Sequence, residues 1–439
     1  MRRVAVIGSG ISGLAAAREL ARDAHVTLFE AGGHFGGHAH TVDVTLSGPT
    51  GDITHGVDTG FLVFNDRTYP QLLRLFGELQ VETAAAEMSF SVQVPERGLA
   101  WSGSSLNGVF AQRRNLLSPR FLGMLADILR FNRLATRLAT QPTDSSPELD
   151  EPIAGFLAQH GFGTAFRDDY LLPMLGCIWS CPTDQMLRFP VATMIRFCHN
   201  HGLIQITDRP QWHTVRGGSR RYVEKMLAGI PDARLHTPVL ALRRLPPGDG
   251  TAGVMLATAS GSERFDEVVL ACHSEQSLAL LGDATPAERA LLGAIRYQPN
   301  RAVLHTDASL LPRQRRAWAA WNYERAANHG REQAAVCLHY LINRLQPLPW
   351  QQPVLVSLNP SRPPDPAQVI GVYDYSHPVF DQHAIAAQRQ LPALQGRAHT
   401  WFCGAWTRYG FHEDGLMSAL AVVQQLREQW RRSPAREAA

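Results

Sequence analysis

The sequence predicts an α/β fold in which a discontinuous nucleotide-binding unit on a parallel sheet is interrupted by a second domain of mixed α+β character. Three observations carry this prediction. A strand, a helix and a strand open the chain, longer helical periodicity replaces them from about Leu72, and short strands return after Val239.

The first strand is the apolar run Val4-Ala5-Val6-Ile7, which ends in a glycine cluster. An alanine-rich amphipathic stretch from Ser12 to about Arg22 follows, then a second run from His25 to Glu30. The short connection predicts a right-handed parallel crossover. From Leu72 to His213 the texture is helical, broken by the Pro/Ser-rich segment Gln141 to Pro152, which reads as an exposed loop. This predicts an inserted domain, largely helical in its first part. Strands are then expected at Val239 to Arg243, Gly253 to Thr258 and Phe265 to Ala271, with Pro246-Pro247-Gly248-Asp249-Gly250 as a turn. Further strands are expected at Ala302 to Thr306, Val354 to Leu358 and Thr400 to Cys403, before a helix from Leu416 to Gln429. The expected division gives residues 1–75, 213–285 and 395–430 to the nucleotide domain, 76–212 and 286–394 to the substrate domain, and 431–439 to a frayed tail.

A chain of 439 residues, 45% hydrophobic and 18% charged, is long enough for two to three domains and a large buried cofactor. Its formal charge of +3 is too small for a general nucleic-acid binder, so no nucleic-acid partner is expected. No apolar run is long enough to span a membrane, and the first strand begins too early for a signal peptide, so a cytoplasmic location is expected. The cysteines at 177, 181, 198, 272, 337 and 403 form no disulfide framework and read as reduced core residues. Cys177, Cys181, Cys198 and His199 have poor ligand spacing, and no metal site is expected.

Gly8-Ser9-Gly10-Ile11-Ser12-Gly13 lies between the first strand and helix, where glycines permit a tight turn, close approach of a pyrophosphate and close helix packing. The helix N-terminus then stabilises phosphate charge. Glu30 ends the second strand, where a carboxylate accepts ribose hydroxyls. A dinucleotide site follows, without a choice between NAD and FAD. Directly after Glu30 come Ala31, Gly32 and Gly33, then Gly36-Gly37-His38-Ala39-His40-Thr41, a second glycine-rich loop.

With that loop the chain resembles the flavin amine oxidase and phytoene desaturase superfamily, which includes protoporphyrinogen oxidase, and within it a bacterial group of flavin oxidoreductases related to amine oxidases. The resemblance covers nearly the whole chain. It implies non-covalent FAD in a Rossmann-like, glutathione-reductase-like domain, held by Gly8, Gly10, Ile11, Ser12, Gly13, Glu30, Ala31, Gly36, Gly37 and His38. Val57-Asp58-Thr59-Gly60-Phe61 resembles the segment beside the flavin ring, which implies contacts from Thr59, Gly60 and Phe61. Arg216-Gly217-Gly218-Ser219 resembles the return from the inserted domain, Val239 the valine that meets adenine, and Asp266 to Ala271 a later strand of the same domain. Phe402-Cys403-Gly404-Ala405-Trp406 and the stretch Gly410 to Ala419 resemble the C-terminal segment that sets a helix N-terminus against the flavin. That segment implies roles for Gly404, Ala405, Phe411, His412, Gly415 and Ser418. Two positions depart from the family pattern. His38 stands where relatives have arginine, and Ala405 stands where they have an acid, for which Glu413 or Asp414 compensates.

Amine oxidases of this superfamily frame the flavin with two tyrosines and a lysine. Here Phe411 occupies one tyrosine position, and the strand that carries the lysine offers Asn300 or Arg301. Phe411 suits an aliphatic or polyene chain. His305 and His412 are the acid/base candidates, set against a structural, hydrogen-bonded reading of each. Ile178-Trp179-Ser180 and Gln211-Trp212-His213 read as tunnel or core residues. From Leu106 to Thr140, Arg113, Arg114, Arg120, Arg130, Arg133 and Arg137 face a single acid, Asp127. With Phe121, Leu122, Leu125, Ile128, Leu129 and Leu138 at helical spacing, this reads either as a surface for anionic membrane or as a packed helix with a solvated basic face.

The expected function is FAD-dependent hydride transfer between flavin N5 and an apolar or lipid-like substrate, for example desaturation of an acyl or isoprenoid chain. Two alternatives remain. One is an amine oxidase that produces hydrogen peroxide, and the other is a non-catalytic flavin-binding partner of a lipid-modifying enzyme. Peripheral contact with the inner face of the membrane accompanies the lipid readings.

Overall fold

Five parallel strands form the first sheet of the computed structural model, which describes residues 1–49, 51–141, 149, 151–205, 209–246, 252–325 and 335–432. The predicted turn at Pro247–Gly250, most of the loop at 141–152 and the tail beyond Arg432 lie outside the described residues. The strands are β1 (Arg3–Ile7), β2 (His25–Phe29), β3 (Asp232–Arg234), β4 (Glu267–Leu270) and β5 (Thr400–Phe402), in the spatial order β3-β2-β1-β4-β5. Every pairing is parallel. Parallel sheets are covered on both faces, which is why β4 is buried at every residue and β1 at all but its first.

Helix α1 (Ile11–Leu20) covers one face with Leu14, Ala15, Ala16, Ala17 and Leu20. Gly13 allows that approach, since a Cβ there would stand 1.8 Å from the Gly8 carbonyl oxygen. The last helix, α2 (His412–Arg432), lies on α1, and Ser12 Oγ donates to the Gly415 carbonyl at 2.9 Å. On the other face sits an antiparallel meander of Val239–Leu245, Gly253–Thr258 and Gly261–Phe265. The strand at Val239 is therefore a neighbour of the parallel sheet and not a member of it. The single strand expected at Phe265 to Ala271 divides at Asp266, with Phe265 in the meander and Glu267–Leu270 in β4.

A seven-stranded mixed sheet forms the second half, in the order Val369–Val379, Arg296–His305, Leu355–Leu358, Cys337–Leu341, Trp321–Glu324, Phe90–Val94, Leu99–Ser102. Only Trp321–Glu324 with Phe90–Val94 is parallel. Side chains alternate between faces along each strand. Phe90, Trp101, Trp321 and Tyr340 thus share one face through their register, while Ser91, Asn322, His339 and Ser357 share the other. Helices Pro119–Ala139, Ile153–Gln159, Leu172–Trp179 and Val191–Asn200 pack beside this sheet around a separate apolar core. The α/β class with a discontinuous nucleotide-binding half and a mixed second half holds. No helix among the described residues is long and apolar enough to cross a membrane.

Asp58 ties distant stretches together. It is buried, and its carboxylate accepts from Thr41 Oγ1 at 2.5 Å, from the Ser219 backbone N–H at 2.9 Å and from Gln346 Nε2 at 2.8 Å. Burial pushes its carboxyl up to about 6 against the pull of these donors. The Gly-Gly-Ser element read from the sequence is the chain's docking point on this carboxylate.

Candidate active site

A cavity of about 930 Å³ runs from the β1–α1 loop to the aromatic face of the seven-stranded sheet. Its volume lies at the upper end of the usual range for single-ligand pockets, roughly 300–1,000 Å³. At the first end, α1 begins at Gly10 without a side-chain cap and without an acid in its first turn, so its leading N–H groups are available to an anion. A Cβ built on Gly10 meets nothing within 4 Å, so any larger side chain there would stand in the cavity. Glu30, at the end of β2, is aimed by the Ser9 N–H at 3.0 Å, the Ser9 hydroxyl at 2.5 Å and the Gly32 N–H at 2.7 Å. A dipole end for phosphate and a fixed carboxylate for hydroxyls therefore share one wall.

Most residues singled out from the sequence meet at this cavity. Gly8, Gly10, Ile11, Ser12, Glu30, Ala31, Gly36, Gly37, His38, Gly60, Phe61, Val239, Gly404, Ala405, Phe411 and His412 line it. Four others stand behind the wall. Gly13 lets α1 approach Gly8 and Ala271, Gly415 serves the α1–α2 contact, Ser418 Oγ accepts from the Gly404 N–H at 2.9 Å, and Thr59 Oγ1 is 2.7 Å from the Tyr375 hydroxyl.

His305 does not reach the cavity. Strand alternation puts it on the opposite face of the seven-stranded sheet, fully buried, with Nδ1 accepting from the Asp307 N–H and Nε2 2.7 Å from Ser357 Oγ. Its structural reading is the one the geometry supports. On the same strand Asn300 is buried, while Arg301 is exposed. Asn300 Nδ2 donates to His377 Nδ1 at 2.8 Å, which leaves the proton of that ring on Nε2. His377 lines the cavity and had no signal in the sequence beyond its place in a strand.

His412 lines the cavity as a neutral imidazole. Its ring stacks on Phe61 with centroids 3.6 Å apart, and Nε2 lies 2.9 Å from the Tyr222 hydroxyl. Burial lowers it to about 3, so it is neutral at pH 7. Burial likewise holds His273 and His377 at about 4 and pushes His38 well below the usual histidine range, with the His377 ring adding to the effect. Phe411 stacks on Phe197 at 4.8 Å and forms part of the apolar wall.

Neither acid proposed to compensate for Ala405 does so. Glu413 caps the helix Pro70–Glu78, accepting the Gln71 and Leu72 N–H groups at 2.9 Å each, and Asp414 accepts the Phe411 N–H at 3.0 Å. Both are spent on the backbone. At the far end the lining is Phe90, Trp101, Met174, Ile178, Trp321 and Tyr340, with Trp212 alongside. Among the described residues, the lining residues other than histidine that carry a charged group are Glu30 and Arg209, and Arg209 is exposed.

A family model of flavin-containing amine oxidoreductases matches residues 11–304. A sequence search of the curated proteins finds no match. Among solved structures, the chain is similar to the CLA-producing fatty acid isomerase of P. acnes at 17% identity, over 97% of this chain and 98% of that one, with a TM-score of 0.66. It is also similar to a protein assigned as protoporphyrinogen oxidase from Exiguobacterium sp. 255-15, at 18% identity over 98% and 99% with a TM-score of 0.65. Cyclohexylamine oxidase from Brevibacterium oxydans IH-35A follows, at 16% identity over 97% and 99% with a TM-score of 0.63. At these identities the likeness is one of fold.

Proposed function

The chain belongs to the flavin-containing amine oxidoreductase family and is an FAD-dependent oxidoreductase; on that premise we propose that its substrate is an apolar, lipid-like chain. The residues at the glycine-loop end fit FAD. Gly10 faces open space, α1 presents uncapped N–H groups, Glu30 is fixed for a ribose, and His38 Nε2 is buried without a partner. FAD bound there supplies two-electron redox chemistry. The chain supplies orientation and dryness. Glu30 and α1 hold the dinucleotide, while Phe61 and His412, stacked as a pair, and the Gly404–Trp406 turn wall the cavity beside it.

One observation carries the substrate reading: the end of the cavity away from Glu30 is aromatic and aliphatic, and the histidines in its wall are neutral at pH 7. Such a wall favours an apolar chain by roughly 25 cal/mol per Å² buried, and its described residues give an ammonium group no carboxylate partner. Arg209 at the rim suits an anionic head group. That one structural neighbour is a fatty acid isomerase is in keeping with this reading.

A membrane surface would present such substrates. Among the described residues, five of the ten exposed large apolar side chains, Leu106, Leu116, Leu117, Leu122 and Leu129, come from one stretch that also carries the arginine-rich helix Pro119–Ala139. Exposed leucines beside arginines complement an anionic leaflet. Gly103 and Ser104, next to Leu106 in sequence, line the cavity.

The test is anaerobic mixing of the yellow holoprotein with acyl lipids, isoprenoids or polyamines. Bleaching of the flavin by an acyl or isoprenoid chain supports the proposal. Bleaching by polyamines alone, with peroxide released in air, would replace it by an amine oxidase, and a flavin that responds to none of them would favour the non-catalytic partner.

A further inference from the structure

We propose that Glu324, Cys337 and His339 bind one divalent metal ion of the zinc class, on the face of the seven-stranded sheet turned away from the cavity. Register brings the three together. Glu324 and Cys337 are direct partners across adjacent strands, and His339 lies two residues beyond Cys337, hence on the same face. All three are buried, and their ligand atoms lie within 4.8 Å of one another.

The distances fit ligands that share one metal ion. His339 Nε2 is 3.6 Å from Cys337 Sγ and 3.4 Å from Glu324 Oε2. A good N–H···O bond is about 2.7–3.2 Å, so the contact of this fully buried nitrogen with Glu324 is long, while its distance to the larger sulfur suits either a hydrogen bond or a shared metal. Tetrahedral zinc with Zn–S near 2.3 Å and Zn–N near 2.0–2.1 Å places those ligand atoms about 3.3–3.6 Å apart.

Two of the three ligands are also oriented from behind. His339 Nδ1 is 2.7 Å from Ser357 Oγ, which in turn meets His305 Nε2 at 2.7 Å. Glu324 Oε2 accepts from Gln93 Nε2 at 2.7 Å, and its other oxygen accepts from Ser361 Oγ. Bonds of this kind set the tautomer and direction of metal ligands. With Nδ1–H donated to Ser357, His339 offers Nε2 as a neutral ligand.

Charge agrees with burial. Binding exchanges the Cys337 thiol proton for the ion, and a doubly charged cation with one thiolate and one carboxylate leaves no net charge in the sheet. A solvent molecule supplies the fourth ligand. Because the aromatic face lies on the other side of the sheet, the ion's role is to staple strands Trp321–Glu324 and Cys337–Leu341, and it takes no part in redox chemistry.

The test uses tag-free holoprotein, stripped with a chelator, reloaded with zinc alone and desalted. The expected result is one zinc per chain, an X-ray absorption spectrum with one sulfur among nitrogen and oxygen ligands, and a thermal midpoint several degrees above the stripped protein with the flavin spectrum unchanged. Cys337→Ser should lose the zinc, and Cys198→Ser, at a buried cysteine outside the cluster, should keep it. Zinc below one-tenth per chain in the reloaded wild type, or a spectrum without sulfur, overturns the proposal whatever the variants do.

Discussion

One face of the seven-stranded sheet turns Phe90, Trp101, Trp321 and Tyr340 toward the cavity; the other, offset by a single residue along each strand, carries Ser91, Asn322, Cys337, His339 and Ser357. Both faces are largely removed from water, but only the second satisfies itself. Asn322 makes four bonds, accepting from Ser91 Oγ at 2.8 Å and the Ala319 N–H at 2.9 Å and donating to the carbonyls of Ala319 at 2.6 Å and His339 at 3.0 Å. The aromatic face has no such closure and is completed by whatever enters the cavity. Adjacent residues of one strand therefore divide the tasks: in each strand one parity holds the sheet together and the other faces the cavity.

Four predictions sharpen or break this division, from the largest effect down. The first concerns acid. His38, His273, His377 and His412 are neutral in the fold but ionise in the unfolded chain below about pH 6.5, so stability present above that value is lost as pH falls toward 4. Asp58 and Asp414, both raised to about 6 by burial, oppose this, because their protonated forms favour the fold below pH 6 and that contribution disappears as pH rises through 6. These histidines, joined by His40, His201 and His305, which burial also lowers to about 4, outnumber the two carboxyls and leave a loss of stability on the acid side. Thermal melts across pH 5 to 8 should show the midpoint falling on the acid side; a flat profile would mean that the cavity wall is wet and not apolar.

Asn322→Ala comes next. It strands several buried partners and should cost about 3 kcal/mol in urea unfolding, while turnover per folded molecule and the flavin spectrum stay the same. Loss of turnover in a stably folded Asn322→Ala would break the division. Trp321→Ala is its counterpart, with kcat/KM for the substrate that bleaches the flavin falling about 30-fold, or ~2 kcal/mol of apolar contact, with FAD retained. Arg209→Ala should be mildest, raising KM about fivefold for chains ending in a free carboxylate and leaving neutral esters unchanged, as befits about 1 kcal/mol from an exposed charge.

The sequence made one end of the cavity legible and hid the other. Gly8 to Gly13 and Glu30 are readable because phosphate and ribose demand fixed residue types at fixed spacing. The aromatic end draws single residues from strands hundreds of positions apart, and since both sheet faces are buried, no polar alternation reveals which residue of a pair faces inward. His305 was placed wrongly for that reason, one parity away from Asn300, which does reach toward the cavity through His377. The carboxylates Glu413 and Asp414 misled differently: their partners are backbone N–H groups, which leave no mark in sequence. The edge strand Asp232–Arg234 was equally silent, being held by Thr27 and Glu263 and not by an apolar run.

The order of strands in the parallel sheet also bears on how the protein is made. β1 is made before its neighbour β4 by more than 250 residues, and the turn at Gly404 and helix α2, which wall the cavity, follow later still. A nascent chain thus carries the finished glycine loop with no wall opposite it and with the apolar flank of α1 uncovered. Until those segments arrive, that flank is exposed apolar surface of the kind that favours aggregation during folding.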